Sequence, residues 1–196
     1  MSIEEIEKKH EKLITIAKDY MDIIEDPSHN KYHVIDVVDN IKLLMEKLPE
    51  EFDREVVVIA GYWHDVGRTK LNAGHELLSA QMLKSEMEKL GYNEDFINKC
   101  YEAVPYHKWN MTPKTIEGYI LKDADKLAYI GLGRWQESMK AGLSLDSIID
   151  MLPRLRNEIL YFEESRLIYD KQIVDFAALL YKEAYLKQKA NKNSRK

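Results

Sequence analysis

The chain carries a single cysteine, Cys100, in 196 residues. One thiol excludes an internal disulfide and fits a reducing compartment. Without a Cys-x-x-Cys pair, a structural zinc site of the thiolate kind is excluded as well. Long apolar runs are also missing. The longest, Val56 to Trp63, falls well short of the about 20 residues a membrane-crossing helix needs. The opening stretch MSIEEIEKKHEK has no apolar signal core. The expectation is therefore a soluble, cytoplasmic protein with no targeting segment and no membrane partner. A basic surplus is lacking too: 34 acidic against 29 basic residues give a formal charge of −5. That balance is opposite to the footprint of a duplex-binding protein, so no nucleic-acid partner is expected. Only KQKANKNSRK, residues 187–196, is locally basic, and it reads as a flexible, solvated tail.

What the sequence does have is helical period. Val34, Val37, Val38, Ile41, Leu44, Met45 and Leu48 step by three and four. The same steps join Ile97, Cys100, Tyr101 and Val104, then Ile148, Leu152, Leu155, Ile159 and Phe162, then Ile173, Phe176, Leu180 and Ala184. Residues 3–24 fit the template, and 77–90 end at Gly91, a helix-stop signal. Asp53 is a candidate N-cap for 52–66, whose Val56-Val57-Val58-Ile59 run is strand-like but has no neighbouring strand to pair with. Breaks are expected at Asp26-Pro27, Pro49, 67–74, Gly91, 107–113, 131–142 and near Asp170, with Pro153 one turn into its helix or kinking it. The fold class is all-α: a single helical bundle over residues 1–186 with about seven to nine helices.

Five of the six histidines, His29, His33, His64, His75 and His107, lie between residues 29 and 107, and none lies in the last 89 residues. His33 opens an amphipathic helix. His64 and Asp65 close an apolar one, where both side chains reach a common ion if the last turn opens. Asp123 and Asp125 both lie near the buried face of GYILKDADKLAYIG, and periodicity does not choose between them. A buried carboxylate needs a partner or a metal. Imidazoles and carboxylates converging from three helices make a mixed nitrogen and oxygen site, suited to Mn, Fe, Co, Ni or Zn. Taken one at a time, each of these residues has a commoner explanation as a cap, a surface pair or a core group.

Taken in order, SHNKYHVIDVV, AGYWHDVGR, AVPYHKWN and TIEGYILKDADKLAYIGLGR resemble the HD-domain metal-dependent phosphohydrolase superfamily, in its small bacterial single-domain branch. The likeness spans residues 26–134. It implies an HD-type bundle in which His33, His64, Asp65 and Asp125 ligate a divalent metal, one ion or two, Mg included. It leaves Asp123 beside the ligands or in a capping role. It makes His107 a contact to substrate phosphate or to a second metal and puts His75 where some two-metal members place another histidine, so that Asp65 and His107 are candidate catalytic groups and His75 and His107 candidate substrate contacts. Arg68 and Lys126, close in sequence to the ligands, are further candidate substrate contacts, with Lys108 and Arg134 as additional positive groups. His29, four residues before the first ligand, is placed behind the ligands, orienting them. Tyr62, Trp63, Tyr106 and Trp109 crowd the same elements, as core or as a base-stacking pocket. The segment VGRTK after Asp65 lacks the Glu-Asp pair of the superfamily's guanosine-tetraphosphate hydrolases. The expected activity is hydrolysis of a phosphate ester or anhydride in a small molecule, most simply a nucleotide. The alternatives are a metal- and nucleotide-binding sensor without turnover, and a di-iron oxygenase of the same superfamily. A homodimer is compatible with the sequence.

Overall fold

The computed structural model describes residues 1–26, 29–49, 51–131, 142 and 144–193. Nine α-helices lie within them: α1 (Ile3–Lys9), α2 (Glu11–Asp22), α3 (Lys31–Lys47), α4 (Arg54–Trp63), α5 (His75–Lys89), α6 (Glu94–Ala103), α7 (Ile116–Leu127), α8 (Leu145–Arg154) and α9 (Glu163–Asn193). No strand occurs among the described residues, so the all-α expectation holds. No described helix is long and apolar enough to cross a membrane. Pro27, Arg134 and residues 194–196 lie outside the described residues.

Helix α4 is the axis. Every residue from Val56 to Trp63 is buried, with α1, α2, α3, α6 and α7 packed around it. Its β-branched run gives up at most about 0.7 kcal/mol per residue in helix propensity. Fully burying a Val or Ile side chain stabilises by about 1.5–3 kcal/mol, so packing decides. Asp53 caps the helix by accepting from the Val56 amide at 3.4 Å.

Local chemistry sets most of the other ends. Asn30 caps α3 by accepting from the amides of Tyr32 and His33. Thr115 caps α7 through the Gly118 amide. Gly91 ends α5 with φ +77°, its amide bonding to Glu88 and the Tyr92 amide to Met87, the paired bonds of a left-handed helix stop.

Two expectations are corrected in the C-terminal third. The periodic stretch from Ile148 to Phe162 is not one helix: α8 carries Pro153 and gives way to a π turn, Leu155–Ile159, then to extended backbone at Leu160. Proline has no amide to donate, which loosens the turn it sits in. The break expected near Asp170 is absent. Asp170 holds the Arg156 guanidinium through two contacts of 2.6 and 2.7 Å, and α9 runs past it without interruption. That helix continues to Asn193, into the stretch read as a tail.

Candidate metal centre

Helix ends converge on one point. Asn30 starts α3 so that His33 lies in its first turn, pointing inward and 2 % exposed. Helix α4 stops at Trp63, and the chain then opens, with Asp65 at φ −109° and ψ 1°. That opening turns His64 and Asp65 toward the same space. A short 3-10 turn, Val66–Thr69, follows and packs under the start of α5. The contact requires a glycine: a Cβ on Gly67 would lie 2.2 Å from the His75 carbonyl oxygen and 2.8 Å from the Ser79 amide. The Gly67 amide donates to the Ser79 hydroxyl at 2.8 Å. This seats His75, the first residue of α5, against Asp65. His107 comes from the loop after α6, and Asp125 and Lys126 from the last turn of α7.

The result is two groups of three buried ligands. His33, His64 and Asp125 form one, Asp65, His75 and His107 the other, and within each group one donor atom per residue lies within 4.8 Å of the others. His33 Nε2 is 3.2 Å from His64 Nε2 and 3.1 Å from an Asp125 oxygen. Asp65 stands between the groups. Its Oδ2 is 3.8 Å from His33 and 3.6 Å from His64, and its Oδ1 is 3.0 Å from His75 and 3.6 Å from His107.

The imidazoles are oriented from behind. Nδ1 of His64 donates to the Gly61 carbonyl at 2.8 Å, that of His75 to Asn72 at 2.8 Å and that of His107 to Val104 at 2.9 Å. With the proton on Nδ1, each Nε2 presents a lone pair to the centre. Burial holds the His64 imidazolium down, to about 4, so the ring is neutral at neutral pH, the form that ligates a metal. Burial pushes the Asp65 carboxyl up, but the imidazoles of His64, His107 and His75 and the Arg68 guanidinium outweigh it and hold it well below the carboxylate range. His75 Nε2 and Asp65 Oδ1 are buried and, among the described residues, neither makes an aligned hydrogen bond. Lone pairs facing one another without protons between them are what a cation satisfies. The donor set and these unsatisfied atoms fit a divalent metal.

The remaining expected residues fall around this centre. Arg68 Nε is 3.0 Å from Asp65 Oδ1, and Lys126, buried, pairs with Asp125 and lies over the Trp109 ring at 5.6 Å. His29 is half-buried, bonded to Asp26 at 2.8 Å and edge-on to the His33 ring at 5.8 Å. Lys108 commits its charge to Glu76 at 2.8 Å. Asp123 points away from the ligands. It accepts from the amides of Tyr161 and Phe162 at 2.9 and 3.0 Å and so fixes the approach to α9. Burial raises its carboxyl to about 6, against the pull of Ser165 and those two amides. Tyr62 and Trp63 belong to the core: the Tyr62 hydroxyl bonds to Glu7, and Trp63 sits edge-on to Tyr20. Trp109 lies against Lys126 and Tyr129, and the Tyr106 ring has Lys114 over it at 4.8 Å.

Sequence reasoning missed Glu76 and Lys122. Glu76 looks like half of a chance His-Glu pair. Its position in the first turn of a helix just after Gly74 was the available signal. Lys122, to which the sequence assigned no role, is buried and donates to the Trp109 carbonyl at 3.3 Å and to the Met111 carbonyl.

Comparison with known proteins gives two findings. A model of the HD domain family matches residues 31–130. A crystal structure of a predicted HD superfamily hydrolase from an uncultured Thermotogales bacterium superposes with a TM-score of 0.70 at 19 % identity, covering 96 % of this chain and 99 % of the other. No curated protein matches.

Proposed function

The chain belongs to the HD domain family, and from that premise we propose that it is a metal-dependent phosphohydrolase acting on a phosphate ester or anhydride of a small molecule, a nucleotide in the first instance. One observation carries the reading: four imidazoles and two carboxylates, from five separate segments, meet in a buried cluster with Asp65 between its halves. His33, His64, Asp65 and Asp125 would hold one divalent ion, and Asp65, His75 and His107 a second. Such ions supply an acidified water and neutralise charge on phosphate oxygens.

The protein's own groups do the rest. Asp65 is an ionised carboxylate placed between the two ligand groups, and its part beyond ligation is to orient the attacking water. Arg68 and Lys126 stand beside the two carboxylates, where their charges would offset the one that builds on the phosphoryl group and the leaving oxygen. His107, on sequence a contact to substrate phosphate or to a second metal, stands with Asp65 and His75, which supports the metal role. His29 steadies the His33 ring from the loop before α3.

The test is metal analysis of the purified protein, followed by a screen of nucleotides and simple phosphate esters with Mn, Co, Ni and Mg. His64→Ala and Asp125→Ala should lose bound metal and phosphate release together. Equal metal in wild type and both variants overturns the assignment. The six-ligand cluster also suits a pair of iron ions, which favours an oxygenase as the second reading. Dioxygen-dependent turnover with iron, and no phosphate release without oxygen, would select it.

A further inference from the structure

The two histidines of the second ligand group have no shared element to hold them together. His75 is the first residue of α5, and His107 lies in the loop after α6. From the α6 and α7 side that loop is fixed by the Val104 carbonyl, which takes the His107 Nδ1 proton, and by Lys122, which binds the Trp109 and Met111 carbonyls. Toward α5 the ion pair among the described residues is Glu76 with Lys108. Glu76 Oε2 lies 2.8 Å from Lys108 Nζ and 3.4 Å from His75 Nδ1. The glutamate side chain is 6 % exposed and the lysine 32 %. A carboxylate in the first turn of α5 is also favoured by the helix dipole. One buried oxygen thus touches the sequence neighbour of one histidine and the back of the other, on the side away from Asp65.

We propose that Glu76 is a positioning residue for the second metal ion: through Lys108 it clamps the His107 loop onto α5, so that His75 and His107 face Asp65 together. This rests on the two-group reading of the centre. Among the described residues the ion pairs of Glu76 are with Lys108 and with His75 Nδ1, on the side away from Asp65, and not with His33, His64 or Asp125. Its loss should therefore weaken one ion and spare the other. Groups that orient metal ligands from behind typically change affinity by about 10- to 100-fold.

The experiment is a calorimetric titration of the metal-stripped full chain with Mn²⁺, paired with the visible spectrum of the Co²⁺ form. Wild type should take up two ions. Glu76→Ala and Lys108→Met should each bind the tighter or weaker of the two at least ten-fold less well and leave the other within two-fold, with matching loss of one cobalt signature. Lys108→Arg should restore both. The double variant should be no worse than Glu76→Ala, because the two side chains act as one contact. Two ions bound as in wild type by both single variants overturns the clamp alone, as does an equal weakening of both ions. Fewer than two ions in wild type overturns the two-group reading and the clamp with it. If Glu76→Ala does not fold, Lys108→Met, altered at a partly exposed side chain, decides the matter.

Discussion

Asp123 and Asp125 stand two positions apart on α7, both buried, and are held by opposite parts of the molecule. Asp125 faces His33, and Asp123 faces the backbone leading into α9. Helical period brings both to the buried side but says nothing about a partner 38 residues further on, which is why the sequence left them equivalent and only the family likeness separated them. The two should part cleanly in experiment. Asp123→Ala strands two amides and should lower unfolding stability by about 1–3 kcal/mol with metal content unchanged. Asp125→Ala should empty one ion position. Melting curves and elemental analysis read both, and a loss of metal in Asp123→Ala would contradict the assignment. The same scale explains Cys100. It is fully buried on α6, and burial pushes its thiol well above the usual range. It should stay unreactive to a thiol reagent in the folded protein and titrate fully only on unfolding.

At the scale of elements, the legible features were those written in contiguous residues: the Asp53, Asn30 and Thr115 caps, the Gly91 stop and the apolar stripes. What could not be read was set by contacts across the chain. Gly67 looks like a helix break, yet its importance lies in the His75 carbonyl that approaches it. Gly67→Ala should force α5 away from the turn, lowering stability and the affinity of the Asp65–His75–His107 group more than that of the other. A variant that melts and binds two ions like wild type would show that the contact gives way freely. The joint between α1 and α2 is a second case. Residues 3–24 read as one helix, but His10 interrupts it, bonded to Glu55 at 2.6 Å and stacked on Tyr92 and Phe96. Burial would push the Glu55 carboxyl up, but Lys9 and His10 outweigh it and hold it below its ordinary 4.5. A depressed acid stabilises the fold above its unfolded value and loses that contribution as pH falls through the folded one. Glu55→Gln should therefore melt lower than wild type at neutral pH, with the two curves converging below pH 4.5. A gap that stays constant down to acid would leave the ion pairs without influence.

For the molecule as a whole, the centre joins parts that have little else in common. Its ligands come from α3, the end of α4, the start of α5, the loop after α6 and the end of α7. The unfolded chain does not bring these five segments together, so an ion that binds them binds the native state. At a free concentration one hundred times its dissociation constant, a single ion stabilises by about 2.7 kcal/mol. For a chain of this size each kcal/mol shifts the melting temperature by about 2–4 °C, so one ion should raise it by roughly 5–10 °C. Stripping both ions with a chelator should lower the melting temperature by up to about twice that amount, and adding Mn²⁺ or Co²⁺ back should restore it. His64→Ala and Asp125→Ala should retain only the part of the shift that the Asp65–His75–His107 group supplies, and adding Asp65→Ala should abolish it. A wild-type melt indifferent to chelator and to added metal would mean that the helix ends meet without gripping an ion, and the hydrolytic reading would lose its physical basis.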